Sequence, residues 1–210
     1  MKKFLTYRLF KRSCDLALAC FLILFLIPIF LLVALVIKAS SRGPILFSQR
    51  RIGKNKRPFS CYKFRTMHPE AEFMLKELLK SNIDIQNEFA RDQKLLNDPR
   101  ITSVGRYLRF TSLDEIPQIF NILKGEMSFI GPRPIINNEI IRYGDGFEKA
   151  FSVLPGMSGL WQVSGRNKLS YKRRVQLDLI YADNLSFKLD LNIFFRTMGV
   201  ILFPFDRGAF

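Results

Sequence analysis

Residues 16–37 run for 22 positions without a charge, while later apolar stretches are broken by polar residues at helix or strand spacing. That length is enough to cross a bilayer as a helix. It is too long for the apolar region of a signal peptide, and no clean cleavage pattern follows it. Pro28, near the midpoint, removes a helical hydrogen bond and bends the backbone. The legs on either side, 16–27 and 29–37, measure about 18 and 14 Å at 1.5 Å per residue, each roughly half a hydrocarbon core. The pattern therefore predicts a re-entrant helix hairpin bent at Pro28. Beyond it, alternation on either side of a basic loop at 53–58 predicts a small β-hairpin from 45–51 and 59–67. Within it, Lys63 and Arg65 fall on one strand face and Phe64 on the other.

Helical spacing of Ala71, Met74, Leu75, Leu78 and Leu79 predicts an amphipathic helix from Pro69 to about Leu79. A polar connection through Asp98-Pro99 follows. The stretch 101–110 then carries Arg100, Arg106 and Arg109 towards a helix from Ser112 to Lys124-Gly125. Residues 172–184 read as a helix with Val175, Leu179 and Ala182 inward and Asp178 on or near the buried side. The tail 189–205 is aromatic-rich, broken by Gly199 and Pro204, and suits the headgroup layer or docking on the domain. These elements define a mostly helical α+β fold with interfacial amphipathic helices. The chain divides into a membrane hairpin at 1–40 and a cytoplasmic domain at 41–210.

Charge supports the hairpin. The net charge is +15, yet residues 1–67 hold 14 Lys/Arg against the single acid Asp15. Residues 68–210 are nearly balanced, with 19 basic and 17 acidic side chains. Both flanks of the apolar segment are basic, with Lys2, Lys3, Arg8, Lys11 and Arg12 before it and Lys38, Arg42, Arg50 and Arg51 among those after it. A straight span would export one cluster against the positive-inside tendency, whereas a hairpin keeps both in the cytoplasm. Basic residues flanking an apolar segment point to anionic membrane lipids rather than to nucleic acid. Three scattered cysteines exclude a disulfide scaffold and form no metal spacing. One histidine, His68, leaves no basis for a Ser-His-Asp triad.

The chemistry concentrates at Ser112-Leu113-Asp114-Glu115-Ile116-Pro117-Gln118, where two carboxylates are adjacent in a basic chain. Gly131-Pro132-Arg133-Pro134 follows, holding a guanidinium between two prolines. Carboxylates can hold a metal ion or attack phosphorus, and arginine binds phosphate oxygens bidentately. Ser112 and Glu115 also satisfy an S-x-x-E capping box, and acids in a first turn favour the helix dipole. Pattern alone thus serves either a cap or a site. A lipid-tethered binding protein would use the pair as a cap, but would not require Arg109, Arg133 and Arg166 beyond it.

In order along the chain, Lys11-Arg12, Asp15, Gly43-Pro44-Ile45-Leu46-Phe47, Tyr62-Lys63-Phe64-Arg65-Thr66-Met67 and Asp98-Pro99-Arg100-Ile101-Thr102 carry a family resemblance. It continues through Leu108-Arg109, the 112–118 motif, Lys124-Gly125-Glu126-Met127-Ser128, Gly131-Pro132-Arg133-Pro134 and Pro155-Gly156. Ser158-Gly159-Leu160, Gln162-Val163 and Gly165-Arg166-Asn167 complete it. Together they resemble the bacterial sugar transferases, the monotopic polyprenyl-phosphate phosphoglycosyl transferases, over nearly the whole chain. Larger members carry extra transmembrane helices ahead of this region, and the present chain looks like the minimal catalytic form. The residue before Pro28 is Ile27, where some relatives have serine.

The resemblance implies transfer of hexose-1-phosphate from a UDP-sugar to undecaprenyl phosphate with release of UMP. It implies an aspartyl-phosphosugar intermediate, Mg²⁺, and a place in surface polysaccharide assembly at the cytoplasmic face of the bacterial inner membrane. Carried over residue by residue, Asp114 is the nucleophile and Glu115 its partner at the metal. Arg109, Arg133 and Arg166 face the phosphates or nucleotide, Lys63 and Arg65 assist, and Asp178 lies near the site. The stretch around Trp161 and the terminal Arg207-Gly208-Ala209-Phe210 resemble members that move galactose or glucose rather than an N-acetylated or deoxy sugar. The exposed apolar tail offers a surface for a homodimer.

Overall fold

A single α-helix, α1 (Lys2–Ser40), carries the whole apolar segment and runs without interruption through Pro28. The computed structural model describes residues 2–81, 83–92, 95 and 97–202. Among them, α1 is the one helix long and apolar enough to cross a membrane by length and composition. At 1.5 Å per residue its 39 residues have a path length of about 58 Å, and the helix is not divided at Pro28 into the two separate legs expected. Phe21, Leu24, Phe25, Leu31, Leu32 and Leu35 face outward, whereas Ala19, Val33 and Ile37 are buried against the rest of the protein.

Strands β1 (Leu46–Ile52) and β2 (Pro58–Phe64) form the expected antiparallel hairpin, with Phe47 opposite Lys63, Gln49 opposite Cys61 and Arg51 opposite Phe59. Opposed residues share a face, so Arg51, Cys61 and Lys63 point the same way. Phe64 points the other way, into a cluster with Val33, Ile37 and Leu108. Arg65 lies just beyond the strand and leaves that pattern. Its guanidinium donates to the carbonyls of Arg42 and Ser41 at 2.9 Å and to Ser41 Oγ at 2.8 Å. It thereby ties down the chain just after α1, and its 3.5 Å contact with the Ile37 carbonyl reaches the last turn of the helix.

Helix α2 (Ala71–Ser81) half-buries the predicted stripe and leaves Phe73 exposed. The connection read as polar contains a further helix, α3 (Ile83–Asp92). Its apolar positions Ile83, Ile85 and Phe89 are too sparse to stand out from the charged residues between them. Helix α4 (Ser103–Thr111) begins with Thr102 accepting from the Gly105 amide. At Gly105 a Cβ would lie 1.9 Å from the Thr66 carbonyl oxygen, so glycine alone allows α4 to lie on the chain leaving β2. Helix α5 (Gln118–Lys124) packs on β2 and on α1.

A second, parallel pair carries no signal in the sequence pattern. Strand β3 (Ser128–Ile130) lies beside β4 (Gly156–Ser158), and three residues per strand are too few for alternation to register. The approach is close: a Cβ on Gly156 would lie 2.1 Å from the Gly131 amide nitrogen. Short helices α6 (Ile140–Tyr143) and α7 (Phe147–Ala150) pack with α8 (Tyr171–Asp183), as read for 172–184. The tail forms α9 (Phe187–Leu202), which continues through Gly199. Pro204 and the terminal Arg207–Phe210 motif lie outside the described residues.

Candidate active site

The acidic pair does not open an α-helix. Ser112 caps the end of α4 in the left-handed region at φ 59°, and Leu113–Glu115 then form one 3-10 turn before α5. Ser112 makes no side-chain cap bond, so the capping-box reading is overturned. The reason is tertiary: Glu115 has a better partner than a backbone amide. Lys63 Nζ donates to Glu115 Oε1 at 2.5 Å and lies 3.8 Å from Asp114 Oδ2. The Gln118 side chain faces the same carboxylate and favours its charged form.

The two carboxylates differ in exposure and in charge state. The Asp114 side chain is 10% exposed and that of Glu115 24%. Burial raises the Asp114 pKa and the neighbouring Glu115 charge adds to this, against the pull of Lys63 and Arg109. Burial also opposes ionisation of Glu115, but the Lys63 and Arg133 charges, the Lys63 hydrogen bond and the Gln118 amide outweigh it and hold its pKa below the usual value. Glu115 is therefore the standing anion of the pair, and Asp114 the member whose proton is the more easily kept.

Cations surround the pair from four elements. Lys63 comes from β2 and Arg109 from the last turn of α4, where Thr66 Oγ1 holds its Nε at 3.0 Å. Burial lowers the Arg109 pKa while Asp114 and Asp98 raise it. Arg51 comes from β1 and Arg133 from the loop after β3; with Cys61, Lys63, Glu115, Gln118 and Met157 they line one cleft. Arg51 donates to the Pro134 carbonyl at 3.2 Å and is itself depressed by burial and by Arg133. Arg51 also donates to Gln49 at 2.6 Å and lies 3.8 Å from Glu139; two guanidiniums lining one cleft beside an acidic pair suit a polyanion that bridges them. Burial raises the Cys61 pKa and keeps its thiol neutral, so the cleft holds no thiolate nucleophile at neutral pH.

Arg51, Cys61 and Gln118 were not singled out by sequence, although strand alternation places Arg51 and Cys61 on the Lys63 face. Asn121 was also missed. Fully buried, it donates to the Ser60 carbonyl at 2.7 Å and to Glu126 at 2.6 Å, and accepts from the Tyr62 amide at 3.0 Å. It bolts α5 to β2 and so holds Lys63 opposite Glu115. Arg100, read as pointing towards the pair, instead forms a buried two-pronged bond to Asp98 at 2.6 and 2.8 Å.

The remaining candidates stand further back. Arg166 sits on a turn after Trp161 at φ 51° and is not among the cleft-lining residues described. Asp178 is wholly buried on α8 and accepts from Tyr143 OH at 2.8 Å. Its other oxygen has no hydrogen-bond partner, and Arg133 lies within electrostatic reach. Arg133 in turn stands 6.0 Å from the Trp161 ring centroid.

Among the described residues no group of three or more His, Cys, Asp or Glu side chains could hold a metal ion. Asp114 and Glu115 nevertheless fit magnesium, which is commonly bound by one or two carboxylates and completed by phosphate oxygens and water.

An acidic pair ringed by lysine and arginine is the constellation of a phosphoryl-transfer protein. The bacterial sugar transferase family model matches residues 6–204, and the chain belongs to that family. It is 44% identical over 196 residues to the undecaprenyl-phosphate galactose phosphotransferase of Salmonella typhimurium, covering 93% of this chain and 41% of that protein. It is 44% identical over 200 residues to the exopolysaccharide production protein ExoY of Sinorhizobium fredii, covering 95% and 88%. An uncharacterised sugar transferase of Haemophilus influenzae matches at 43%, over 94% of this chain and 42% of its own length. The chain thus spans about two-fifths of the Salmonella and Haemophilus relatives.

Proposed function

We propose that this protein is a membrane-associated phosphoglycosyl transferase that moves hexose-1-phosphate from a UDP-sugar to undecaprenyl phosphate, releasing UMP. The observation that carries the reading is the convergence of Lys63, Arg109, Arg51 and Arg133 on Asp114 and Glu115. A diphosphate repels an anionic nucleophile, and these cations offset that repulsion. A deprotonated Asp114 oxygen attacks the hexose-bearing phosphorus, and the bond to the bridging oxygen breaks, releasing UMP. The acceptor's phosphate oxygen then attacks the aspartyl phosphate, the carboxylate leaves, and a lipid diphosphosugar results. Splitting the transfer in two lets a soluble donor and a lipid acceptor use one site in turn. Arg133 and Arg51 hold the diphosphate oxygens, Lys63 keeps Glu115 in place, and Arg109 steadies the Asp114 anion. Arg166 supports the nucleotide from the loop after Trp161. Magnesium held by Asp114 and Glu115 would supply further neutralisation of the diphosphate.

The acceptor's lipid chain has an adjacent place. An apolar groove between α1 and α5, lined by Ile23, Leu26, Phe30, Ile116, Ile119 and Phe120, begins at the residue after Glu115. The re-entrant reading of α1 is supported by contacts at both ends of its apolar segment. Near the start, Arg12 donates to the Ile122 and Leu123 carbonyls, and Asp15 accepts from the Phe129 amide. Near the finish, Val33 and Ile37 pack on Phe64 and Leu108. One folded domain on the cytoplasmic face meets both ends, whereas a straight span would separate them by about 30 Å of hydrocarbon. The outward apolar residues of α1, α2 and α9 then face lipid or the headgroup layer. The donor is read as UDP-galactose or UDP-glucose, and the pathway as exopolysaccharide, lipopolysaccharide or capsule assembly.

The test is UMP release from a panel of UDP-sugars in detergent with undecaprenyl phosphate and Mg²⁺. Asp114→Asn is expected to lower turnover by at least about a thousandfold, the scale of losing a catalytic nucleophile or its immediate stabilisation. Undiminished turnover in that variant would remove the nucleophile assignment.

A further inference from the structure

The turn that closes the β-hairpin lies remote in sequence from α1, yet the two meet over one short segment. The Asn55 amide donates to the Phe151 carbonyl at 2.8 Å, and Arg8 donates to the next carbonyl, Ser152, at 3.1 Å. The turn is closed by the Gly53 amide on the Arg57 carbonyl at 2.9 Å and the Arg57 amide on the Lys54 carbonyl at 3.2 Å. Lys54 and Arg57 therefore stand at the two ends of a fixed turn, with Arg8 delivered beside them by the first turns of α1.

Glu148, three residues before Phe151, pairs with Lys56, the cation between Lys54 and Arg57 in the turn. Among the described residues, the side-chain nitrogens of Lys54 and Arg57 have neither a hydrogen bond nor an ion pair. Burial lowers the Lys54 pKa, and the Arg8 and Arg57 charges lower it further. Lys54 and Arg57, neither paired with an acid among the described residues, repel one another and Arg8 unless an anion joins them.

We propose that Arg8, Lys54 and Arg57 form an anion site for a phosphate group, separate from the catalytic cleft, that clamps the first turns of α1 to the hairpin. Guanidinium and ammonium groups converging from two segments match the several oxygens of phosphate better than the two of a carboxylate. The phosphate belongs to an anionic lipid headgroup or is free in solution. The site stands on these contacts alone and does not depend on the transferase reading.

The experiment uses the full chain in neutral detergent micelles, with melting followed by fluorescence of the single tryptophan, Trp161. Three probes are titrated separately: inorganic phosphate, dioleoylphosphatidylglycerol and dioleoylphosphatidylcholine. The expected result is a saturable rise in melting temperature with phosphate or with the anionic lipid. Whichever of the two acts identifies the source. Lys54→Ala with Arg57→Ala is expected to weaken the apparent affinity at least about tenfold, the loss expected from removing charged phosphate contacts. A control, Lys56→Ala with Lys149→Ala, removes the same charge from ion-paired neighbours and is expected to keep wild-type affinity. Equal weakening in both double variants would reduce the effect to net charge and overturn the site. So would a response unchanged in the first variant, a response to phosphatidylcholine equal to that of the anionic lipid, or no saturable response to any probe.

Discussion

Asp178 is a carboxylate that the fold keeps from solvent, and replacing it with asparagine has a calculable consequence. Its pKa is pushed up from 3.8 to about 7, chiefly by burial, against the Tyr143 hydrogen bond and the Arg133 charge. A raised folded pKa means that the protonated acid suits the fold. The cost of ionising Asp178 is absent below pH 3.8, grows as pH rises towards 7, and is constant above it. At about 1.4 kcal/mol per unit, the cost is about 1.6 kcal/mol at pH 5 and about 4 kcal/mol at pH 8. Asparagine keeps an acceptor for Tyr143 OH and carries no charge at either pH. The stability of Asp178→Asn relative to wild type is therefore expected to improve by about 2.5 kcal/mol between pH 5 and pH 8. Any constant packing or hydrogen-bond penalty of asparagine cancels in that difference. Urea unfolding in neutral detergent, followed by Trp161 fluorescence at both pH values, measures it. A stability difference that moves by less than about 0.5 kcal/mol over this range would refute the buried-acid reasoning.

Two further outcomes follow from the site. Lys63→Met removes the cation 2.5 Å from Glu115 and 3.8 Å from Asp114. Turnover in the UMP-release assay is expected to fall about a hundredfold or more, and residual activity is expected to shift to higher pH as Asp114 holds its proton longer; a wild-type pH profile would exclude the coupling. Asn121→Ala strips three hydrogen bonds between α5, β2 and Glu126. It is expected to cost about 3 kcal/mol in urea unfolding, and a change below about 0.5 kcal/mol would show that packing alone joins these elements.

Much of the fold is legible along the chain because it follows local periodicity. The apolar run of α1, the β-hairpin, the stripe on α2 and the inward face of α8 each repeat over enough residues to register. What periodicity could not reveal is short or sparse: the three-residue strands β3 and β4, and α3 with its scattered apolar positions. The parallel pair exists because Gly131 and Gly156 admit a backbone approach that no side chain allows, a property of two distant segments together.

The same division runs through the site. Local sequence marked Asp114, Glu115, Lys63, Arg109 and Arg133, because adjacent acids in a basic chain and an arginine between prolines are conspicuous by type. It could not distinguish a helix cap from a reactive pair, since both use the same four residues. Tertiary structure removed the cap by bringing Lys63 across from β2 to hold Glu115. It also turned Arg65 onto the chain that leaves α1, locked Arg100 onto Asp98, and brought in Arg51 and Asn121. Residue type and spacing say which side chains can ionise or bind phosphate. Which partner each one takes depends on burial and on segments tens of residues away, and only the folded chain sets those.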